Sequence, residues 1–286
     1  MTFSKSQRAS TLMSLAVLWG LSASQAHADN KLFVTDTLDR GQLDLRISTY
    51  HGAAKGDITL LSDGSTISSK SQGNELDAAV RYGLGASTHI GLSTSYGVNR
   101  SHQLDESSGN TGDFKAKGFQ GGSVWVRHGF LTGSDSPLTL SGELGVDVAT
   151  DKNLSNSSYS TASLSVAAGW DFGQGVKGYT ALEYTATEHA DQARSVKVNA
   201  GVWLPLNRQV TIAPGLTYRR QMETTYINAY SDYTLGLAAM VQVAPRTYIN
   251  PSLLWMRSEA VESKNGLARF NETNGHTVGV QLYQLF

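Results

Sequence analysis

Apolar and polar residues alternate with a period of two through most of the chain after residue 42, and this alternation constrains the fold more than any other feature. Successive side chains of a β-strand point to opposite faces, so the pattern predicts strands with one apolar and one polar side. The last ten residues show it plainly. Their apolar face carries Val278, Val280, Leu282 and Phe286. Their polar face carries Thr277, Gly279, Gln281 and Tyr283.

The same alternation predicts about twelve strands and no other regular structure. They lie near residues 42–48, 76–84, 90–98, 119–130, 138–149, 159–172, 176–187, 194–206, 209–221, 228–243, 247–257 and 277–286. Pro214 and Pro251 fall inside two of these strands, where a missing N–H group interrupts the ladder. We therefore expect a bulge at each of the two prolines.

The predicted connections fall into two classes that alternate along the chain. Short ones, rich in Gly, Ser, Asp and Pro, lie near 85–88, 131–137, 173–175, 205–209 and 244–246. Longer ones lie near 51–74, 99–118, 150–158, 188–193, 222–227 and 258–273. An up-and-down barrel in a membrane has this arrangement, with tight turns on one side and larger loops on the other. A soluble Greek-key sandwich would produce it only by coincidence.

The amino terminus has the organisation of a secretory signal peptide over residues 1–28. Lys5 and Arg8 precede the apolar run Leu12 to Leu21, and Ala26-His27-Ala28 is a small-x-small cleavage site. The apolar run is too short for a transmembrane helix. We expect a mature domain over residues 29–286, which starts with a short polar periplasmic lead from Asp29 to Arg40.

Charge and cysteine content exclude several classes of function. The chain has a formal net charge of −1, and about −3 without Lys5 and Arg8, so it lacks the concentrated basic surface that nucleic-acid binding needs. It contains no cysteine, which excludes disulfides and thiolate metal sites. No cofactor or metal ion is expected.

The carboxy-terminal strand resembles the closing strand of Gram-negative outer-membrane β-barrels, which ends on Phe after alternating apolar residues. Gln284 departs from that pattern, which prefers an apolar or aromatic residue there. The resemblance implies an all-β, transmembrane antiparallel up-and-down barrel of about twelve strands in the cell outer membrane. It also implies contact with outer-membrane lipid and lipopolysaccharide, and with the barrel-assembly machinery through Phe286.

Two further stretches, Asp36 to Leu45 and Val80 to Leu84, are similar to a narrower family. They resemble the transporter-like outer-membrane proteins associated with the meta-cleavage pathway of phenol degradation. That resemblance covers about a third of the mature chain. It implies the passage of small molecules, aromatic ones among them, and it supplies no functional residues to carry over.

Aromatic residues near strand ends are typical of the two belts at the membrane interfaces. Trp170, Phe172, Phe130 and Phe286 lie at the turn side, and Tyr96, Tyr184, Tyr218 and Tyr233 at the loop side.

Charged residues occupy the polar faces of the predicted strands. A lipid-facing Arg or Lys at mid-depth costs about 2–4 kcal/mol, so these residues are expected to face the lumen and to be candidates for a pore lining. They are Asp44, Arg46, Asp77, Arg81, Glu143, Asp147, Lys177, Glu183, Lys197, Arg219 and Asp232. Two interpretations remain open, a narrow polar pore and a lumen filled by mutually paired charges. Small residues on the same faces, such as Gly91 and Gly201, favour some open space.

The sequence gives little support to an enzyme. Barrel enzymes that act on lipids commonly use a His-x-Ser element, which is absent here. The nearest candidates are Ser101 beside His102, and His189 with Asp191 and Ser195, and a triad is identified only by geometry. We therefore predict a channel or transporter for passive or selective diffusion of small molecules. The alternatives are a structural or adhesive barrel that acts through its outer loops and a lipid-modifying enzyme.

Overall fold

The computed structural model describes residues 30–132, 136–148, 160–188 and 193–286. These residues form a closed, twelve-stranded antiparallel barrel with a small hairpin attached outside the ring. The ring strands are β1 (Leu43–Leu60), β2 (Thr66–Gly85), β3 (Thr88–Asp105), β4 (Thr111–Leu131), β5 (Leu138–Val148), β6 (Thr161–Gly173), β7 (Val176–Thr187), β8 (Ser195–Pro205), β9 (Val210–Gln221), β10 (Tyr230–Ala244), β11 (Thr247–Ser258) and β14 (Thr273–Leu285). The hairpin comprises β12 (Val261–Glu262) and β13 (Ala268–Phe270).

The ring closes because β1 pairs on both sides, with β2 along one edge and with β14 along the other. Asp44 lies opposite Leu285 at the start of the β1–β14 seam, and Lys55 lies opposite Asn274 at its far end. All the other ring strands pair with their neighbours in sequence. Closure leaves no unpaired sheet edge, which is the condition for a β structure to cross a bilayer. The predicted fold class and strand number are confirmed.

The period of two places the two sets of side chains as predicted. Large apolar residues on the outside are well exposed, for example Leu76 (53%), Leu144 (61%) and Leu216 (53%). Alternate residues such as Ser141 and Tyr283 are buried inside the ring. The aromatic residues expected at the two rims also point outwards; Phe172 and Phe286 are more than half exposed at the turn side. In the part of the chain that is described, no helix is long and apolar enough to cross a membrane.

Two of the predicted long loops are largely strand. β1 and β2 extend into the range 51–74 and are joined by a short turn after Leu60. β3 and β4 do the same within 99–118. The sequence prediction was wrong here because the outer faces of these parts carry polar and charged residues such as Lys70 and Arg100 instead of apolar ones. A strand without an apolar outer face does not show the alternation that identifies the others.

Neither proline within a strand forms a bulge. Pro214 keeps its register opposite Leu237, and Pro251 keeps its register opposite Val280. On the other side of each proline the pairing is interrupted and then resumes in the same register. The missing N–H group therefore costs local hydrogen bonds without shifting the strand.

Small residues on the inner face do not leave the open space that was expected at Gly91 and Gly201. A Cβ atom at Gly91 would lie 2.2 Å from the ring of Trp125. One at Gly201 would lie 2.7 Å from the ring of Tyr179. At each of these glycines a neighbouring aromatic ring occupies the space that a side chain would need, so only glycine fits there.

The expectation that residues 29–40 form a polar periplasmic lead is also wrong. The part of it that is described enters the barrel at the end where the short turns lie, and Leu32, Phe33 and Leu38 are buried there. Its apolar residues form a core with aromatic side chains of the wall. The predicted signal peptide, residues 1–28, and Asp29 lie outside the described residues.

We expect Gly91→Ala to lower the free energy of unfolding by about 1–3 kcal/mol, since the added methyl group must displace Trp125. Urea unfolding of the detergent-refolded barrel, followed by gel mobility without heating, measures the change. Gly122→Ala is the matched control because its Cβ would meet only an ordinary contact, 3.5 Å from the carbonyl oxygen of Ser93. Equal stability of the two variants would show that Trp125 does not depend on Gly91.

Candidate functional site

The amino-terminal segment, residues 30–41, is held by hydrogen bonds to its backbone; residues 30–38 lie inside the barrel, and the exposed residues 39–41 lead into β1. Arg81 donates to the carbonyl oxygen of Lys31 at 2.5 Å, and Arg127 donates to that of Val34 at 3.0 Å. The amide of Lys31 donates to the Tyr283 hydroxyl at 3.2 Å. These anchors come from β2, β4 and β14, so the segment is fixed to well-separated parts of the wall.

Phe33 is a buried aromatic side chain of this segment. Its ring packs edge-on against Trp203, with centroids 5.1 Å apart, and against Tyr179 at 6.1 Å. The Lys177 ammonium lies 5.3 Å from the ring centroid, within the range of a cation–π contact. Gly169 makes room for the ring, because a Cβ there would lie 2.3 Å from it. The wall therefore contains an aromatic pocket that the chain itself fills.

Asp36 lies in the same turn as Phe33 and is an acidic residue of the segment. Its Oδ2 accepts from the Phe33 amide at 3.1 Å, and its own amide donates to the Phe33 carbonyl oxygen at 2.8 Å. Burial raises the pKa of Asp36 to about 6, and the opposing pull of four cations only partly offsets this. Those cations are Lys177, Lys31, Arg81 and Arg127.

Arg81 and Asp44 form the central ion pair of this end of the lumen. Arg81 Nε lies 3.0 Å from both carboxylate oxygens of Asp44, and both side chains are almost fully buried. Arg46 approaches the same carboxylate at 3.8 Å. A buried pair that loses one member destabilises a protein by about 3–5 kcal/mol. This pair therefore supports both the β1–β2 wall and the segment that Arg81 holds.

Further ion pairs and polar contacts occur along the inner wall. Glu143 pairs with Arg127 at 2.7 Å, Glu183 with Lys197 at 2.8 Å, and Asp232 with Arg219 at 2.6 Å. Asp147 accepts from the hydroxyls of Ser123 and Thr161. Each carboxylate is thus matched by a donor from an adjoining strand.

Among the carboxylates of the eleven predicted lumen residues, Asp77 differs in having no basic or hydroxyl partner in the described part of the chain. It lies near Glu75 on β2, and each has a buried carboxylate oxygen without a hydrogen-bond partner among the described residues. All eleven predicted residues lie on the inner face. Ten of them form ion pairs, hydroxyl contacts or, for Lys177, the contact with Phe33, while Asp77 leaves an acidic spot at mid-height.

Sequence reasoning missed several residues of this site. Arg127 and Glu75 belong to the inner face, and the alternation of β4 and β2 contained the signal for both. Phe33 and Asp36 had no such signal, since their segment is not a strand. Their position follows only from where the segment lies in the ring.

The enzyme candidates do not form a catalytic group in the described residues. Ser101 is buried on the inner face of β3, whereas His102 points outwards and bonds Asp113 at 2.9 Å. Ser195 is buried at the start of β8, and His189 and Asp191 lie outside the described residues. Among the described residues no group of three or more His, Asp or Glu is arranged to hold a metal ion.

No protein-family model matches the sequence, and no curated protein matches it. An outer membrane channel from Pseudomonas putida F1 matches with 12% identity over 91% of this chain and 100% of its own, with a TM-score of 0.62. The P. putida toluene transporter TodX matches with 11% identity over 87% of this chain and 91% of its own, with a TM-score of 0.48. A Pseudomonas aeruginosa FadL homologue matches with 9% identity over 90% of this chain and 96% of its own, with a TM-score of 0.46.

The first of these likenesses shows the fold, which is that of an outer-membrane β-barrel. None of the three identifies the transporter-like family of the phenol meta-cleavage pathway.

The position of Asp36 predicts that the segment is released more readily as the pH rises. Docking raises the pKa of Asp36 from its ordinary value to about 6, so the docked state binds the proton more tightly than the released state. Docking is therefore strongest below the ordinary pKa and weakens until the pH passes about 6. We expect a cysteine at Val34, the only one in the chain, to be labelled faster at pH 7 than at pH 5.

The same cysteine in an Asp36→Asn background is the control, since it shows the pH dependence of the thiol alone. Identical ratios of labelling rates in the two backgrounds would contradict a role of Asp36 in docking.

Proposed function

We propose that this protein is an outer-membrane channel for the diffusion of small molecules. The observation that carries the proposal is a lumen lined with charged and polar side chains whose turn-side end is filled by a segment of the chain rather than by the wall. A barrel that served only as a scaffold would have no need of a separately held segment. Solute passage then requires movement of residues 30–41.

The proposed location and maturation follow from the fold and the leader. We propose that residues 1–28 are removed on export and that residues 29–286 enter the outer membrane with the short turns in the periplasm. The exposed outer band contacts lipid. Phe286 projects from the end of β14 and is 59% exposed, which makes it accessible to the barrel-assembly machinery.

The chemistry of the lumen supports selection among solutes by two features. Carboxylates and cations are paired along the wall, so no single sign of charge dominates the path past them. Around the segment the wall presents the rings of Tyr179, Trp203, Tyr248 and Tyr283. Aromatic solutes can pack against such rings edge-on, which agrees with the small aromatic molecules that the sequence resemblance implies.

Single-channel recording in planar bilayers tests the proposal. We expect the complete mature protein to give small conductance steps, and a variant without residues 30–40 to give larger ones, because the segment no longer fills the turn-side end. Phe33→Ala is a milder variant that keeps the chain length and loosens the aromatic pocket, and its conductance should lie between the two. Absence of current from all three, each shown by heat-modifiable gel mobility to be folded, would overturn the channel proposal.

The proposed role of Phe286 in assembly has its own test. We expect Phe286→Ala to lower the fraction of heat-modifiable barrel in isolated outer membranes several-fold. Phe172→Ala is the matched control, because that ring is equally outward at the turn side and 69% exposed but lies at an internal turn. Equal losses in the two variants would show that any aromatic residue of the belt has the same effect.

A further inference from the structure

One side of the barrel is much taller than a membrane crossing requires. β1 to β4 have 18, 20, 18 and 21 residues, while about 9–11 residues suffice for a strand to cross the hydrocarbon. On their outer face the apolar band ends at a row formed by Leu76, Tyr96 and Phe119, which lie opposite one another. The rings of Tyr96 and Phe119 pack edge-on at 5.5 Å. Beyond this row the outer face belongs to the headgroup region or lies above it.

Five basic residues occupy that outer face between two and six residues beyond the aromatic row. They are Lys55, Lys70, Arg100, Lys115 and Lys117, and all five are exposed. Lys117 is two residues beyond Phe119, which places it about 7 Å above the row at the rise of an extended strand. We call these five residues the basic patch.

The register places like charges of the patch directly opposite one another. Lys55 pairs with Lys70 across β1 and β2, and Arg100 pairs with Lys115 across β3 and β4. Like charges at opposed positions of a sheet destabilise it. None of the five forms an ion pair with another described residue. Asp57 and Asp113 lie on the same outer face, two residues from Lys55 and Lys115, but Asp113 pairs with His102 and neither carboxylate pairs with a patch residue. The opposed cations of the patch therefore have no ion-pair partner among the described residues.

Two outward cations elsewhere on the barrel have carboxylate partners. Arg257 on β11 bonds both oxygens of Glu272 at 2.7 Å. Arg220 on β9 lies 3.8 Å from Glu259. What sets the β1–β4 wall apart within the described chain is that unpaired cations lie directly opposite one another. Arg269, which is also exposed and has no ion pair, lies opposite Thr59 and Glu262.

We propose that the basic patch binds the phosphate groups of the phosphorylated glycolipid of the outer leaflet. The proposal rests on the proposed outer-membrane location, with the long connections outside. A lipid at this wall lays its acyl chains against Leu76 and the aromatic row, and its phosphates then meet Lys117, Arg100 and Lys115. Arg and Lys bind phosphate through charge-assisted hydrogen bonds, and the added negative charge relieves the repulsion between opposed cations.

The test is native mass spectrometry of the complete mature protein in detergent micelles with lipid A as the probe. We expect bisphosphorylated lipid A to remain bound. A variant with all five patch residues changed to Gln should bind it at least about tenfold more weakly, since each basic group near an anionic lipid surface contributes to affinity. The matched control is the Arg220→Gln, Arg257→Gln double variant, which removes outward cations that already have carboxylate partners and should bind normally.

Two further probes distinguish the source of the phosphate. Lipid A stripped of its phosphates should bind weakly to every form of the protein. Phosphatidylglycerol, which carries one phosphate on two acyl chains, should bind less tightly than lipid A.

Equal binding of lipid A by the five-residue variant and by the unchanged protein would overturn the proposal, as would equal binding of dephosphorylated lipid A. Equal binding of phosphatidylglycerol would assign the patch to anionic lipid in general and reject the glycolipid. All variants are first shown to be folded by heat-modifiable mobility. Conductance is recorded separately, so a protein that binds lipid A but passes no current would reject the channel and leave the lipid site standing.

Discussion

The pairing of β1 with both β2 and β14 is the interaction on which the rest of the structure depends. It turns a long meander into a ring in which every strand has two neighbours. Only then does the apolar side of each strand face outwards without an exposed backbone edge, which is what hydrocarbon requires. The same closure creates an interior, which holds the paired charges and the amino-terminal segment.

The interior is organised as two levels. At the turn side, Arg81 and Arg127 use their remaining donors to hold the backbone of residues 30–41, after each has paired with a carboxylate of the wall. Higher up, pairs such as Arg219 with Asp232 satisfy each other across adjoining strands. Phe33 shows how the segment fits the wall, since this one side chain contacts aromatic rings, a glycine and a lysine from different strands. The arrangement joins a rigid wall to an occupant that is held only by non-covalent contacts.

The exterior of the barrel is asymmetric. Four strands continue well past the apolar band, and the outer face of this extension carries opposed cations. Within a sheet such pairs are unfavourable, while next to a layer of phosphate they become a binding surface. The barrel thus has an inner face on which most charges are paired, Asp77 and Glu75 excepted, and an outer region with opposed, unpaired cations.

The sequence by itself determined the fold class, the strand count and the inner face on which the eleven predicted charged residues lie. A period of two is a local property, so Leu144 and Glu143 can be assigned to opposite sides without knowledge of the rest. The prediction also failed locally, at the far ends of β1 to β4, where the outer face is polar and the strands were taken for loops.

Only the tertiary structure decided which charges pair, that Trp125 and Tyr179 fill the space left by glycines, and that residues 30–38 lie inside the ring. These features depend on residues such as Lys31 and Tyr283, which are far apart in the chain and meet only when the last strand closes on the first.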